Sequence, residues 1–294
     1  MSVQTVDNSN AIVTKALASV GEIATLPEVT AKIMQVVEDP NGTAAELHEV
    51  IKRDPALSAK VLSVVNSAFY GLPGQVANLD RAIILLGGSA VKNIAVAASL
   101  GRMFTGPRSS DDFDARGLWE HSVAVAVGAR AINAAAGNVA PADEIFLAGL
   151  IHDVGLLAER QAFPDKLAEV VRRCSNGDGD FLQLEKQIVG ATHQEFGDAL
   201  TTNWRFPRHL RAAVGSHHNP DTLPEELRRV VTILRCADIL CCQEALGFYL
   251  TARGQELTQQ MFDAVGIADD QLAEARGVLA AGLAEAEAVL GSNR

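Results

Sequence analysis

Five of the chain's seven histidines, His121, His152, His193, His217 and His218, fall with Asp153 and Asp238 in its C-terminal part. His121 stands three residues after Leu118 and four before Val125, so it projects from the apolar stripe of a helix. His152 and Asp153 close the run 146–151, Phe-Leu-Ala-Gly-Leu-Ile, which offers almost nothing to solvate a carboxylate. Burying an ionised aspartate unpaired costs several kcal/mol or more, so Asp153 needs a cation, a strong set of donors or a proton. Asp238 repeats the problem one turn after Leu234, among Val230, Val231, Ile239 and Leu240. Two such carboxylates and a run of histidines call for a shared positive partner. Thr192 and Glu195 have the spacing of a capping box, which puts His193 in the first turn of its helix, where the helix dipole favours the neutral, metal-binding imidazole. His217 and His218 are neighbours, about 100° apart on a helix, and can face two metals or one metal and a substrate. Imidazole and carboxylate ligands in an apolar surround suit a first-row transition metal, iron first and manganese or zinc next, rather than calcium. With two ions Asp153 can bridge them, and a bound water becomes a nucleophile for phosphoester attack. His48 and His209 lie at surface or helix-end positions and are assigned no role.

Helices must position these groups, because period-3.6 patterning dominates and no alternating strands line up with hairpin turns. Pro27 opens a helix with the stripe Val29, Ile33, Met34 and Val37, and Asp39-Pro40-Asn41-Gly42 ends it. Thr43 and Glu46 form a capping box for a helix burying Leu47, Val50 and Ile51. Asp54 as N-cap and Pro55 at the first helical position start another. Residues 79–86 make a short helix stopped by Gly87-Gly88, and Ser89 caps the next, to about Phe104. Further helices are expected at about 118–135, 142–160, 165–173, 181–189, 193–204, 208–216, 225–250 and 270–290. The organisation is therefore all-α and two-lobed. Residues 1–20 read as a tail, 21–104 as a five-helix lobe, 105–114 (TGPRSSDDFD) as a polar connection and 115–294 as a histidine-bearing bundle with C-terminal helices.

Composition narrows the function classes. The formal net charge is −11, and residues 1–105 hold eight Lys/Arg against nine Asp/Glu, so the acidity lies in the second part. Such a field repels nucleic acid and anionic lipid. The helix pair 44–52 and 55–69 has the outline of a helix-turn-helix, but its second helix offers only Ser58, Lys60, Ser63 and Asn66 to a groove, too little to hold phosphates. No stretch reaches the roughly 18 apolar residues of a membrane span, and the N-terminus lacks a signal-peptide core, so a cytoplasmic protein is expected. Cys174, Cys236, Cys241 and Cys242 fit no disulfide or zinc-knuckle spacing and read as reduced packing residues.

The order His121, His152-Asp153, His193, His217-His218, Asp238 resembles the HD superfamily of metal-dependent phosphohydrolases, most of all the phosphodiesterase branch with an HD-GYP signature. That resemblance implies that His121, His152, Asp153 and Asp238 are core metal ligands and that His193, His217 and His218 complete a binuclear site. Residues 23–238 are still more similar to the HDOD family, the HD-related output domains of bacterial signalling. The likeness is carried by Leu26-Pro27-Glu28-Val29, Arg53-Asp54-Pro55-Ala56-Leu57, Val65-Asn66-Ser67-Ala68-Phe69-Tyr70-Gly71, Leu118-Trp119-Glu120-His121-Ser122, Ala148-Gly149-Leu150-Ile151-His152-Asp153-Val154-Gly155 and Ser216-His217-His218-Asn219-Pro220. HDOD modules are signalling or regulatory units with no common reaction, so the resemblance implies an HD-like C-terminal bundle, a signalling protein as partner and a nucleotide second messenger as a further ligand. The alternative it implies is a metal-dependent phosphohydrolase or cyclic-nucleotide phosphodiesterase. Against catalysis, Leu156 stands where the active branch carries a phosphate-contacting Lys, no Gly-Tyr-Pro segment occurs, and Gly117 replaces the extra carboxylate of trinuclear members. The groove between the lobes is the expected place for a partner or small ligand.

Overall fold

Local capping chemistry sets several helix starts. Glu46 N–H donates to Thr43 Oγ1 at 3.2 Å while Thr43 N–H donates to the Glu46 carboxylate at 2.8 Å, closing the expected box. Asp54 accepts from Leu57 N–H at 2.9 Å ahead of Pro55, and Thr192 and Glu195 form the second box. The computed structural model describes residues 3–21, 25–39, 41–67, 70–104 and 113–290. Helices follow one another along the chain, with no strand among the described residues.

The N-terminal lobe holds α2 (Glu28–Glu38), α3 (Ala44–Lys52), α4 (Pro55–Val65), α5 (Leu79–Leu86) and α6 (Gly88–Leu100), the five expected helices in the expected order; α1 (Val3–Ser19) precedes them. Gly87, not Ser89, caps α6, with φ of 84°. Beyond residue 113 come α7 (Ala115–Ala135), α8 (Ala142–Ile151), α9 (Gly155–Ala162), α10 (Pro164–Asn176), α11 (Phe181–Ile188) and α12 (His193–Asn203). These lead to α13 (Arg208–Ser216), α14 (Glu225–Gln243), α15 (Gln259–Val265) and α16 (Asp269–Leu290). Helix α7 is the buried axis of this part, packed by α8, α14 and α16. Helix α6 is buried from Val91 to Leu100 and packs on α2, α4 and α8, so one hydrophobic core runs from Ile33 and Leu57 to Leu118 and Ile132. No helix among the described residues is long and apolar enough to cross a membrane.

Four features differ from expectation. Residues 3–19 are a helix rather than a tail: Val13, Ala16 and Leu17 form a buried stripe against α9 and α12, and Ser9 Oγ donates to Gly190 O at 3.0 Å. The helix expected over 142–160 is two helices, broken at 152–154. The helix expected to reach 250 ends at Gln243, where Ala245 and Gly247 take φ of 51° and 63°. Helix α15 was not foreseen. Of the polar connection, residues 105–112 lie outside the described residues, and Phe113 is buried beside Phe248, with ring centroids 5.1 Å apart.

Candidate metal centre

The break after α8 builds half of the site. A Cβ on Gly155 would stand 1.9 Å from His193 O and 2.7 Å from Gly197 N, so only glycine lets α9 begin hard against the start of α12. Closing α8 there leaves His152 and Asp153 at its end, facing His193. Helix α7 brings His121, the end of α13 brings His217 and His218, and α14 brings Asp238. All seven residues singled out from the sequence thus meet in one place, six of them at 0% exposure and His218 at 3%.

Hydrogen bonds fix the rings. His152 Nδ1 lies 2.7 Å from Gly149 O, His217 Nδ1 3.0 Å from Val214 O and His121 Nδ1 3.2 Å from Leu246 O, so each ring donates from Nδ1 and turns its Nε2 lone pair inward. Glu185, on α11, takes His193 Nδ1 at 2.9 Å and also accepts from the His193 backbone N–H. The inward atoms then crowd one another. Asp153 Oδ1 is 3.3 Å from both His193 Nε2 and His217 Nε2, and Asp153 Oδ2 is 3.3 Å from His152 Nε2. His193 Nε2 is 3.3 Å from His217 Nε2 and 3.2 Å from His218 Nε2, and His121 Nε2 is 3.1 Å from Asp238 Oδ1.

Acceptors facing acceptors at such distances call for a proton or a metal ion between them. His152 Nε2, both Asp153 oxygens, His218 Nδ1 and Asp238 Oδ2 are buried without a hydrogen-bond partner. Asp153, His193, His217 and His218 could hold one ion, and His121, His152 and Asp153 a second, with Asp153 common to both groups. Nitrogen and carboxylate donors of this kind fit a transition metal.

Without an ion, electrostatics divide the rings. Burial alone would raise the Asp153 carboxyl, but His152 and His193 hold it well below the usual carboxylate range. Burial likewise opposes charge on His193 and His152, yet Glu185 and Asp153 outweigh it at His193 and Asp153 at His152, raising both imidazoles toward the protonated form, contrary to the neutral ring expected at His193 from its place in the first turn of α12. His217 and His218 are pushed down by burial, toward the neutral form that ligates.

Several participants escaped the sequence reading. Glu185 orients His193, and the carboxyl of buried Glu159 on α9 is raised well above the usual range by burial and then by Glu185. The Gln194 carboxamide oxygen, its orientation assigned from the donors that face it, accepts from the N–H groups of His217 and His218 at 3.1 and 3.2 Å. Cys242, read as a packing residue, sits with its Sγ 3.5 Å from Asp238 Oδ1, within reach of the group His121, Asp238 and Cys242. The other three cysteines are buried thiols. A Cβ at position 117 would stand 3.0 Å from the Asp114 carboxylate, and the loop after α14 packs on the backbone there: Phe248 N–H donates to Gly117 O at 2.8 Å, and a Cβ on Gly247 would stand 2.4 Å from His121 N. His48 pairs with Asp80 and His209 with Glu144, both away from the cluster. The cavity between the lobes, lined by Val64, Tyr70, Asn93, Asp143 and Phe146, holds only about 10 Å³, whereas one of about 450 Å³ opens beside His218.

Known proteins share this architecture. An HDOD domain protein of unknown function from Geobacter sulfurreducens has a TM-score of 0.80 at 22% identity, covering 97% of this chain and 99% of that one. A protein of Marinobacter aquaeolei VT8, provisionally named for signal transduction, has a TM-score of 0.75 at 23% identity over 97% of this chain and 65% of its own. A provisionally named phosphohydrolase of Shewanella amazonensis SB2B has a TM-score of 0.69 at 21% identity over 96% and 98%. An uncharacterized protein of Treponema pallidum (strain Nichols) is 24% identical over 230 residues, 77% of this chain and 44% of the relative, so the chain spans less than half of that curated relative's length. The HDOD domain profile matches residues 23–220, about two thirds of the sequence, and the chain belongs to the HDOD family.

Proposed function

We propose that the chain is a bacterial regulatory output protein that holds one or two transition-metal ions, iron before manganese or zinc, and acts by binding a signalling protein or a nucleotide rather than by turnover. Its ligands are His121, His152, Asp153, His193, His217, His218 and Asp238. The observation that carries the metal reading is the set of inward Nε2 lone pairs and orphaned carboxylate oxygens at 3.1–3.3 Å from one another in a buried cluster. A bound metal would supply the charge that neutralises Asp153 and Asp238 and, in an enzyme, the Lewis acid that activates water.

One observation favours regulation. Leu156, where the resemblance implies a phosphate-contacting Lys, is wholly buried in the core. The second reading, an HD-type phosphohydrolase or cyclic-nucleotide phosphodiesterase, draws support from the cavity that reaches His218. The test is hydrolysis of cyclic dinucleotides and generic phosphoesters by protein loaded with iron, manganese or zinc, beside a His152→Ala/Asp153→Ala double variant. Metal-dependent turnover lost in the variant overturns the regulatory reading. Absence of turnover from fully loaded protein, with a native-host partner held by the wild type and released by the variant, upholds it.

A further inference from the structure

Two buried polar atoms without a hydrogen-bond partner and outside the metal cluster, Arg235 Nε and Gln255 Oε1, belong to residues lining one cavity, which His218 also lines. The cavity measures about 450 Å³ and lies between the start of α11, Asn219, α14 and the segment leading into α15. A buried polar atom without a partner is costly, so two around one opening outline what a ligand must supply. Arg235 is the cationic member. It sits three residues before Asp238 on α14, and among the described residues no hydrogen bond or ion pair engages its guanidinium. Asp180 and Glu256 line the same cavity without pairing with it, and Asp180 already accepts from Gln183 N–H at the cap of α11. A planar guanidinium presents a fork of donors that matches phosphate oxygens. Gln255 Oε1, Asp180 and Glu256 are acceptors, so the rest of the ligand must bring hydroxyl or amino donors. The space is that of a small-molecule site.

We propose that Arg235 anchors the phosphate of a small hydroxyl-bearing phosphomonoester, of nucleoside-monophosphate size, in the cavity beside His218. The inference deepens the regulatory reading by naming the ligand class beside His218, and it rests on that reading for the ligand's role.

Isothermal titration of the full chain with inorganic phosphate and with adenosine 5′-monophosphate, with metal content measured on the same samples, tests it. The expected result is that both bind, that Arg235→Gln weakens both at least tenfold and that Gln255→Leu weakens the nucleotide while sparing inorganic phosphate. Should Arg235→Gln fail to fold, Arg235→Lys, which keeps the charge and loses the fork, weakens both severalfold. Equal binding by wild type and Arg235 variants, or no binding of either probe at millimolar concentration, overturns the proposal. Metal retained alongside Arg235-independent binding defeats this inference alone. Arg235-dependent binding by protein that takes up no metal defeats the metal reading and leaves this one standing.

Discussion

The N-terminal lobe and the histidine-bearing part solve the same packing problem and differ in how they treat polar groups. In and around α2–α6 polar side chains find protein partners, near in sequence for Thr43 with Glu46, Asp54 with Leu57 N–H, and Asn66, which accepts from Val76 N–H at 2.6 Å and donates to Val76 O at 2.9 Å, and distant for Thr30 with Ser99 and Asn93 with Asp143. Among the described residues, every buried side-chain polar atom without a partner lies at Ser122 or beyond, and the densest group is Asp153, His152, His218 and Asp238. The first region satisfies its described buried polar side chains within the protein. The other leaves unsatisfied groups where a ligand can satisfy them, which is how a working site departs from an optimised core.

The largest effect should come from breaking the second region at its centre. Asp153→Ala leaves imidazoles without their counter-charge and should cost about 3–5 kcal/mol of stability together with the metal, read by denaturant unfolding and elemental analysis. Glu185→Gln keeps the fold but loosens His193, and should lower metal affinity about 10–100-fold in a chelator competition, the usual effect of losing a ligand's supporting carboxylate. In the first region Asn66→Ala removes three side-chain bonds to the backbone and should cost about 1–2 kcal/mol without changing metal content.

A pH series sharpens the contrast through Glu159. Its carboxyl is raised in the folded protein by burial and by Glu185, so its contribution to stability is present below the ordinary carboxylate range and is lost as pH rises through the raised value. Glu159→Gln cannot ionise and should flatten that decline, giving a higher melting temperature than wild type at neutral pH and a smaller difference in acid. Smallest of all, His48→Ala loses an exposed pair with Asp80 and should shift stability by about 0.5 kcal/mol or less.

Features governed by neighbouring residues were legible in the sequence. Thr43 with Glu46, Asp54 with Pro55, and Thr192 with Glu195 announce helix starts that the fold keeps, and the burial argument for Asp153 and Asp238 led to the cluster. What escaped depends on distant approach. The break between α8 and α9 follows from Gly155 meeting His193 O, a contact no helical pattern records. Helix α14 stops early because the 244–248 loop must return over α7 to give Leu246 O to His121. Glu185 and Glu159 could have been found by the reasoning applied to Asp153, since both are charges at apolar helix positions. Helix α1 was passed over because its stripe, Val13, Ala16 and Leu17, is short and needs α9 and α12 to bury it.

The most direct test of the central claim is elemental analysis of full-length protein purified anaerobically without an affinity tag, before and after incubation with ferrous iron, manganese or zinc. The account predicts one to two equivalents of transition metal in the wild type, iron foremost, and none in the His152→Ala/Asp153→Ala variant. Wild-type protein that carries no metal and takes up none on reconstitution would contradict it, and would make the histidines and aspartates a hydrogen-bonded core and nothing more.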